Sequence, residues 1–177
     1  MHDTAITGEL VAGGGECIFS WTTQDGFPVG VVVAFVFRDG KFWTTCAERR
    51  KRVPALRKRP QSGIVINRGG KTASYKGNSI VHAPGDADFD EIKGWFYPTL
   101  SRLDQNPDDP YRQSFNKFLD SPHRVIIETE ARLVVGFDTA RFHAFTVEAM
   151  KAGADDFLVK PVGLEEIALV LEKIGRA

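Results

Sequence analysis

Arg49, Arg50, Lys51, Arg52, Arg57, Lys58 and Arg59 place seven positive charges in one short run that contains no acidic residue. Val53 and Leu56 are spaced for one face of a helix. Pro54 suits a first helical turn, where its missing N–H costs nothing. A short helix over about Val53 to Arg59, stopped by Pro60, leaves Arg49 to Arg52 in the loop that enters its N-terminus. Backbone N–H groups, the positive end of the helix dipole and cationic side chains then converge, a combination that favours a phosphate. Arginine can clamp such a group through two parallel hydrogen bonds. Arg50, Lys51 and Arg52 are the candidate phosphate ligands, and Thr44 and Thr45, at the end of the preceding strand, add hydroxyl donors. Spacing alone leaves two other readings open, a solvated basic helix and a weak nucleic-acid patch. Arg57 to Arg59 fall at the helix C-terminus, which favours cations without any ligand.

Other chemistry-bearing residues are sparse. His2, His82, His123 and His143 are scattered, and none pairs with Asp or Glu at metal-ligand spacing. Cys17 and Cys46 form no CxxC pattern and read as two free, buried thiols in a reducing compartment. Nucleophile-elbow, P-loop and dinucleotide-binding motifs are absent, and Gly13-Gly14-Gly15 precedes a strand, so it reads as a turn. Trp95, Phe96 and Tyr97 are consecutive aromatics that cannot all face one core; packing of their helical segment onto the strands is the favoured reading, and Trp95 and Tyr97 are the candidates for a substrate pocket. Tyr75 and Lys76 lie on a strand whose parity leaves open which of them faces a ligand.

The elements that would position these residues follow from patterning. Cys17 to Thr23 is rich in β-branched and aromatic residues and ends at the turn Gln24-Asp25-Gly26. Val29 to Phe37 is an almost unbroken apolar run, and Asp39-Gly40 turns it into Lys41 to Thr45 as a hairpin. Ser62 to Asn67 and Thr72 to His82 form a further pair around Arg68-Gly69-Gly70. These predict a meander of about five antiparallel strands with the short helix after the third. Helical patterning over Phe89 to Leu103 and Tyr111 to Leu119, separated by Asn106-Pro107-Asp108-Asp109-Pro110, marks an insertion over about 86–120. Arg124 to Glu130 alternates as a sixth strand that Leu133 to Phe137 continues. Many short antiparallel strands favour a barrel, since closure removes exposed edges.

Composition bounds the partners. The 177 residues suffice for one domain with a core, and Lys plus Arg equals Asp plus Glu at 23 each. No global field draws the chain to nucleic acid or a membrane. The N-terminus lacks a signal-peptide pattern and no apolar stretch reaches the roughly 20 residues of a membrane span, so the cytoplasm is the expected compartment.

The ordered succession of apolar strand, Asp-Gly turn, Phe42-Trp43-Thr44-Thr45, basic helix start, Leu56-Arg57-Lys58-Arg59-Pro60 and Gly63-Ile64-Val65-Ile66 resembles the pyridoxamine 5'-phosphate oxidase-like split barrels. Thr72 to Val81 and Arg124-Val125-Ile126-Ile127 are similar to later strands of that barrel. The likeness spans roughly residues 8 to 142. It implies a mainly β fold with helices, a six-stranded antiparallel split barrel that works as a homodimer with cofactor sites at the subunit interface. It implies FMN, or alternatively the deazaflavin F420, held at the phosphate by Arg50, Lys51 and Arg52 and flanked by Thr44 and Thr45. The implied activity is hydride transfer to or from a small organic substrate by an oxidoreductase. The alternative is a non-enzymatic carrier of flavin, F420 or haem. Where the family often has Asn-Leu, this chain has Ala55-Leu56, and Pro54 is unusual there.

The barrel domain is expected over 1–145 and an accessory helical tail over 146–177. Val147 to Lys151 looks helical, and Gly163 to Ile174 is amphipathic through Leu164, Ile167, Leu171 and Ile174. Ala149 to Val162, with its Lys160-Pro161 pair, resembles the end of a response-regulator receiver domain. About thirty residues cannot supply the layers of that fold, so the tail is expected to pack as an accessory to the barrel or across the dimer.

Overall fold

The β-branched runs of the first half pair as two linked hairpins. The computed structural model describes residues 4–151. In it Gly15–Thr22 (β1) runs antiparallel to Pro28–Arg38 (β2), which turns into Lys41–Ala47 (β3). Asp39 and Gly40 take φ of 55° and 76° at that turn, the left-handed geometry that an Asp-Gly pair tolerates and a tight hairpin requires. Arg52–Lys58 (α2) follows, one residue ahead of the expected span, and buries Val53 and Leu56 against the barrel interior. Gln61–Arg68 (β4) and Lys71–His82 (β5) form the second hairpin, and Arg124–Asp138 (β6) is the sixth strand.

The strands close into a barrel in the order β1-β2-β3-β6-β5-β4. This corrects the expected five-strand meander. That meander would pair β3 with β4, but α2 carries the chain away from β3, and β4 instead docks on the free edge of β1. The edge of β3 is taken by β6 over seven residue pairs, from Lys41 with Glu130 to Ala47 with Arg124. Closure in this order leaves no strand of the six without two neighbours.

Two apolar clusters follow from strand alternation. Cys17, Phe19, Phe35, Phe42, Ile64, Ile66, Tyr75, Val125 and Ile127 fill the barrel. Val36, Trp43 and Ile126 face outward and are covered by Phe89–Ser101 (α3) and Pro110–Leu119 (α4), through Phe89, Ile92, Phe96, Tyr97 and Leu119. Coverage of both faces explains why Val125, Ile126 and Ile127 are all fully buried in one strand. The Pro/Asp-rich breaker before α4 is its cap: Asp109 accepts hydrogen bonds from the N–H groups of Tyr111 and Arg112, and Pro110 takes the first turn.

The sequence patterning contains no helix before β1, yet Thr4–Val11 (α1) forms one and seats Leu10 in the core. Both cysteines are free and buried. No described helix is long and apolar enough to cross a membrane. The chain divides into two compact units, Met1–Phe137 and Asp138–Ala177. In the second, Thr139–Lys151 (α5) includes the expected helical turn at Val147 to Lys151. The amphipathic segment Gly163 to Ile174, and the receiver-like segment from residue 152 onward, lie outside the described residues.

Candidate functional site

β2 and β3 pair over only three positions, Val36 with Trp43, Phe37 with Phe42 and Arg38 with Lys41. Beyond Val36 the strands diverge. β3 continues on β6 alone, and β2 from Pro28 to Phe35 continues on β1 alone. The basic loop and the start of α2 stand in this split, because a turn after Ala47 (Arg50 N–H donating to Ala47 O, 3.0 Å) bends the chain toward β2.

The loop has a cleft on each side. On the β2 side, Trp21, Val31, Val32 and Val33 face Arg49, Arg50, Lys51 and Arg52 across a cavity of about 580 Å³. On the β6 side, Thr45, Cys46 and Ala47 with Arg49, Arg50 and Arg52 face Phe118 and Ser121 to Arg124 across about 890 Å³. Among the described residues, Arg49, Arg50, Lys51 and Arg52 form no ion pair. The nearby Glu48 is engaged by Arg57 at 3.3 Å. Four uncompensated cations on one short loop repel each other, and the arrangement is relieved by an anion.

The helix terminus contributes less than its sequence suggests. Val53 N–H is taken by Arg50 O at 2.9 Å, Ala55 N–H lies 3.3 Å from Lys51 O, and Lys51 gives α2 no side-chain cap. Side-chain charge is therefore the main feature that the loop offers an anion.

The remaining candidates are dispersed by strand alternation. Thr44 is buried on the inward face of β3, between Phe42 and Cys46. Thr45 faces outward into the β6-side cleft, with its hydroxyl donating to Val125 O at 2.7 Å. Tyr75 lies in the barrel core with its ring edge-on to Phe42 at 4.9 Å, while Lys76 is exposed on the opposite face in a groove with Gln61, Asn78, Glu130 and Arg132. Neither reaches the basic loop. Trp95 meets Trp43 edge-to-face at 5.1 Å beneath the guanidinium of Arg38, and lines neither cleft. Tyr97 is 2% exposed. Burial pushes its hydroxyl up to about 12, with Thr45 and Arg124 beside it pulling the other way. Among the described residues its Oη has no hydrogen-bond partner.

One polar feature has no counterpart in the sequence reading. His82, at the end of β5, sets Nδ1 2.9 Å from Asp88 Oδ2 and Nε2 3.1 Å from Glu128 Oε2. Glu128 also meets Lys41, whose ammonium is held above its usual value chiefly by that hydrogen bond. The indole of Trp43 stacks on the imidazole at 6.1 Å. The chain Asp88–His82–Glu128–Lys41 ties the start of α3 to β5, β6 and β3. It lies at the opposite end of β3 from the basic loop.

No protein-family model and no curated relative matches the chain. Solved structures do. A conserved hypothetical protein from Mycobacterium tuberculosis superposes at a TM-score of 0.63 with 14% identity, over 90% of this chain and 92% of that one. An F420 reductase gives 0.53 and 13%, over 77% and 98%. The haem storage protein HutZ from Vibrio cholerae gives 0.55 and 8%, over 78% and 95%. At such identities the likeness is one of fold, and the fold of this chain is the six-stranded split barrel that the sequence resemblance implies.

Proposed function

We propose that the chain binds the phosphate-bearing tail of a flavin-type cofactor, FMN or alternatively F420, in the split between β2 and β3, and acts as an oxidoreductase on a small organic substrate. One observation carries the reading: Arg50, Lys51 and Arg52 all line the split, without carboxylate partners, opposite a stretch of β2 that pairs no strand on that side. Three features fit such a group. The cations match a phosphate, the apolar wall of Trp21 and Val31 to Val33 matches a planar ring, and the open edge of β2 presents backbone donors and acceptors for the polar rim of that ring.

The bound cofactor would supply the hydride chemistry. The chain's own residues bind and orient it: the loop cations fix the phosphate, and β2 fixes the ring plane. Trp21, Val31 to Val33 and Arg49 to Arg52 include no side chain that exchanges a proton near neutral pH. That observation favours the second reading, a carrier that binds flavin or F420 without turnover. It speaks against haem in the split, since among the described residues no His, Cys or Met side chain lines it. A homodimer is part of the proposal. Ile18 and Val32, 45% and 64% exposed, are register partners on the outer face of β1 and β2, and Ile18 pairs Val65 on the other side. This apolar row suits a second copy of the chain.

The test is titration of the purified chain with FMN and with F420, followed by absorbance and by mass of the retained ligand. The Arg50→Ala/Lys51→Ala/Arg52→Ala variant should lose retention while its Tm stays near that of the parent. Unchanged affinity in that variant, or no uptake of either cofactor by the parent chain, refutes the assignment. Turnover of the reduced cofactor selects the enzyme over the carrier.

A further inference from the structure

A groove on the outer face of the β1–β2 hairpin lies apart from the basic loop, and the cofactor proposal uses none of its residues. Strand alternation builds its floor. Cys17 and Phe35 point into the barrel, so Glu16, its register partner Ala34, and Val36 face out. The end of α3 forms one bank through Thr99, Leu100 and Arg102, and the glycine turn before β1 forms the other. The enclosed space is about 370 Å³, near the lower end of the roughly 300–1,000 Å³ common for small-molecule pockets.

Both banks are fixed from behind. Arg68 Nη2 donates to Gly14 O at 2.8 Å, and Gly14 stands so close to β2 that a Cβ would meet Phe35 O at 2.7 Å. On the opposite bank Arg112 Nη1 donates to Arg102 O at 2.7 Å. A cavity held in shape this way loses little freedom when a ligand enters.

Two observations give the ligand its chemistry. Glu16 and Arg102 line this one groove from different elements, and among the described residues neither forms an ion pair. Opposite charges thus share the space without meeting, over an apolar strip of Ala34, Val36 and Leu100. Separately, Arg102 closes α3 at φ 59° and ψ 24°, the left-handed cap conformation that favours glycine and strains a residue with a side chain. Strain of this kind persists at ligand sites, where the side chain serves another purpose than stability.

We propose that this groove binds a small zwitterion, an α-amino acid with an apolar side chain. Its carboxylate would meet Arg102, its ammonium Glu16, and its side chain the strip of Ala34, Val36 and Leu100. The ligand supplies to each charged residue the partner that the chain does not. The groove shares no residue with the split between β2 and β3, so neither proposal depends on the other.

Calorimetric titration of the full chain with L-leucine tests it, beside isocaproate, which lacks the ammonium, and isoamylamine, which lacks the carboxylate. Leucine should bind at one equivalent, with each analogue about tenfold or more weaker. Arg102→Gly should weaken leucine about tenfold or more while its Tm stays at or above that of the parent, and should leave isoamylamine unaffected. Glu16→Gln should weaken leucine and leave isocaproate unaffected. No binding of leucine up to about 10 mM, or parent-like leucine affinity in both variants, overturns the site. Analogues that bind as tightly as leucine overturn the zwitterion assignment. Leucine binding in a chain that takes up neither FMN nor F420 would refute the cofactor proposal and leave this one standing.

Discussion

His82 Nε2 lies 3.1 Å from Glu128 Oε2, with both residues less than a tenth exposed. Asp88 on the other ring nitrogen and Lys41 on the other carboxylate oxygen make a four-member chain across three strands and a helix start. Removing the imidazole leaves Glu128 paired with Lys41 but takes two hydrogen bonds and a buried ring from the cluster. His82→Ala should therefore destabilise the barrel by about 2 kcal/mol in urea unfolding. Glu128→Gln should show a smaller loss. A double variant less destabilised than the sum of the two singles is the signature of the coupling, and strict additivity contradicts it.

Gly77 is required by the approach of β6 to β5. A Cβ there would stand 2.2 Å from the carbonyl oxygen of Glu130 and 3.0 Å from Ala131 Cα, both backbone atoms with nowhere to move. Gly77→Ala should cost about 3 kcal/mol or more, or prevent folding, by overpacking of fixed backbone. Circular dichroism melting close to that of the parent would show that the strands can separate there.

Two buried tyrosines test the cost of an unsatisfied hydroxyl. Among the described residues, Tyr75 and Tyr97 both leave Oη without a partner. Tyr75→Phe, deep in the barrel, should stabilise the chain by about 1 kcal/mol and change no binding. Tyr97→Phe should stabilise it less, because the Thr45 hydroxyl stands beside that Oη. Equal urea midpoints for the two variants would contradict the difference.

Alkaline pH should erode stability through Cys17. Burial raises its thiol from 9.0 to about 12, so above pH 9 the unfolded chain releases a proton that the folded chain keeps. The thiol's contribution is complete below pH 9 and is lost as pH climbs toward 12, at about 1.4 kcal/mol for each unit of difference. Tyr97 adds to the same trend between 10 and about 12. Cys17→Ala should lower stability at pH 8 through its cavity, yet lose less between pH 8 and pH 10.5 than the parent. Denaturant midpoints at the two pH values measure the difference, and parallel losses would contradict the assignment.

Strand positions were legible because β-branched runs and Asp39-Gly40 act locally. Pairing was not: whether β4 meets β3 or β1 depends on where α2 delivers the chain, which only packing of Val53 and Leu56 decides. The basic loop was legible from charge density, and its division into two clefts was not, since Lys51 and Thr45 prove to line different cavities. Tyr75 and Lys76 are neighbours in sequence and point to opposite faces of β5, a parity that depends on register. His82 and Glu128 are 46 residues apart, and no local pattern links them. Helix α1 contains Gly8 and β-branched residues, so its intrinsic preference is weak and Leu10 docking supports it.

The divergence of β2 from β3 has a consequence for the chain in isolation. An open strand edge is a template on which another chain can add a strand, and natural sheets commonly guard such edges with lysine or charge. Arg49 to Arg52 stand over the open edge of β2 and repel a copy carrying the same loop. The loop that recruits an anion is thus also a guard against strand addition, and a bound ligand takes over that guarding role as it neutralises the charge.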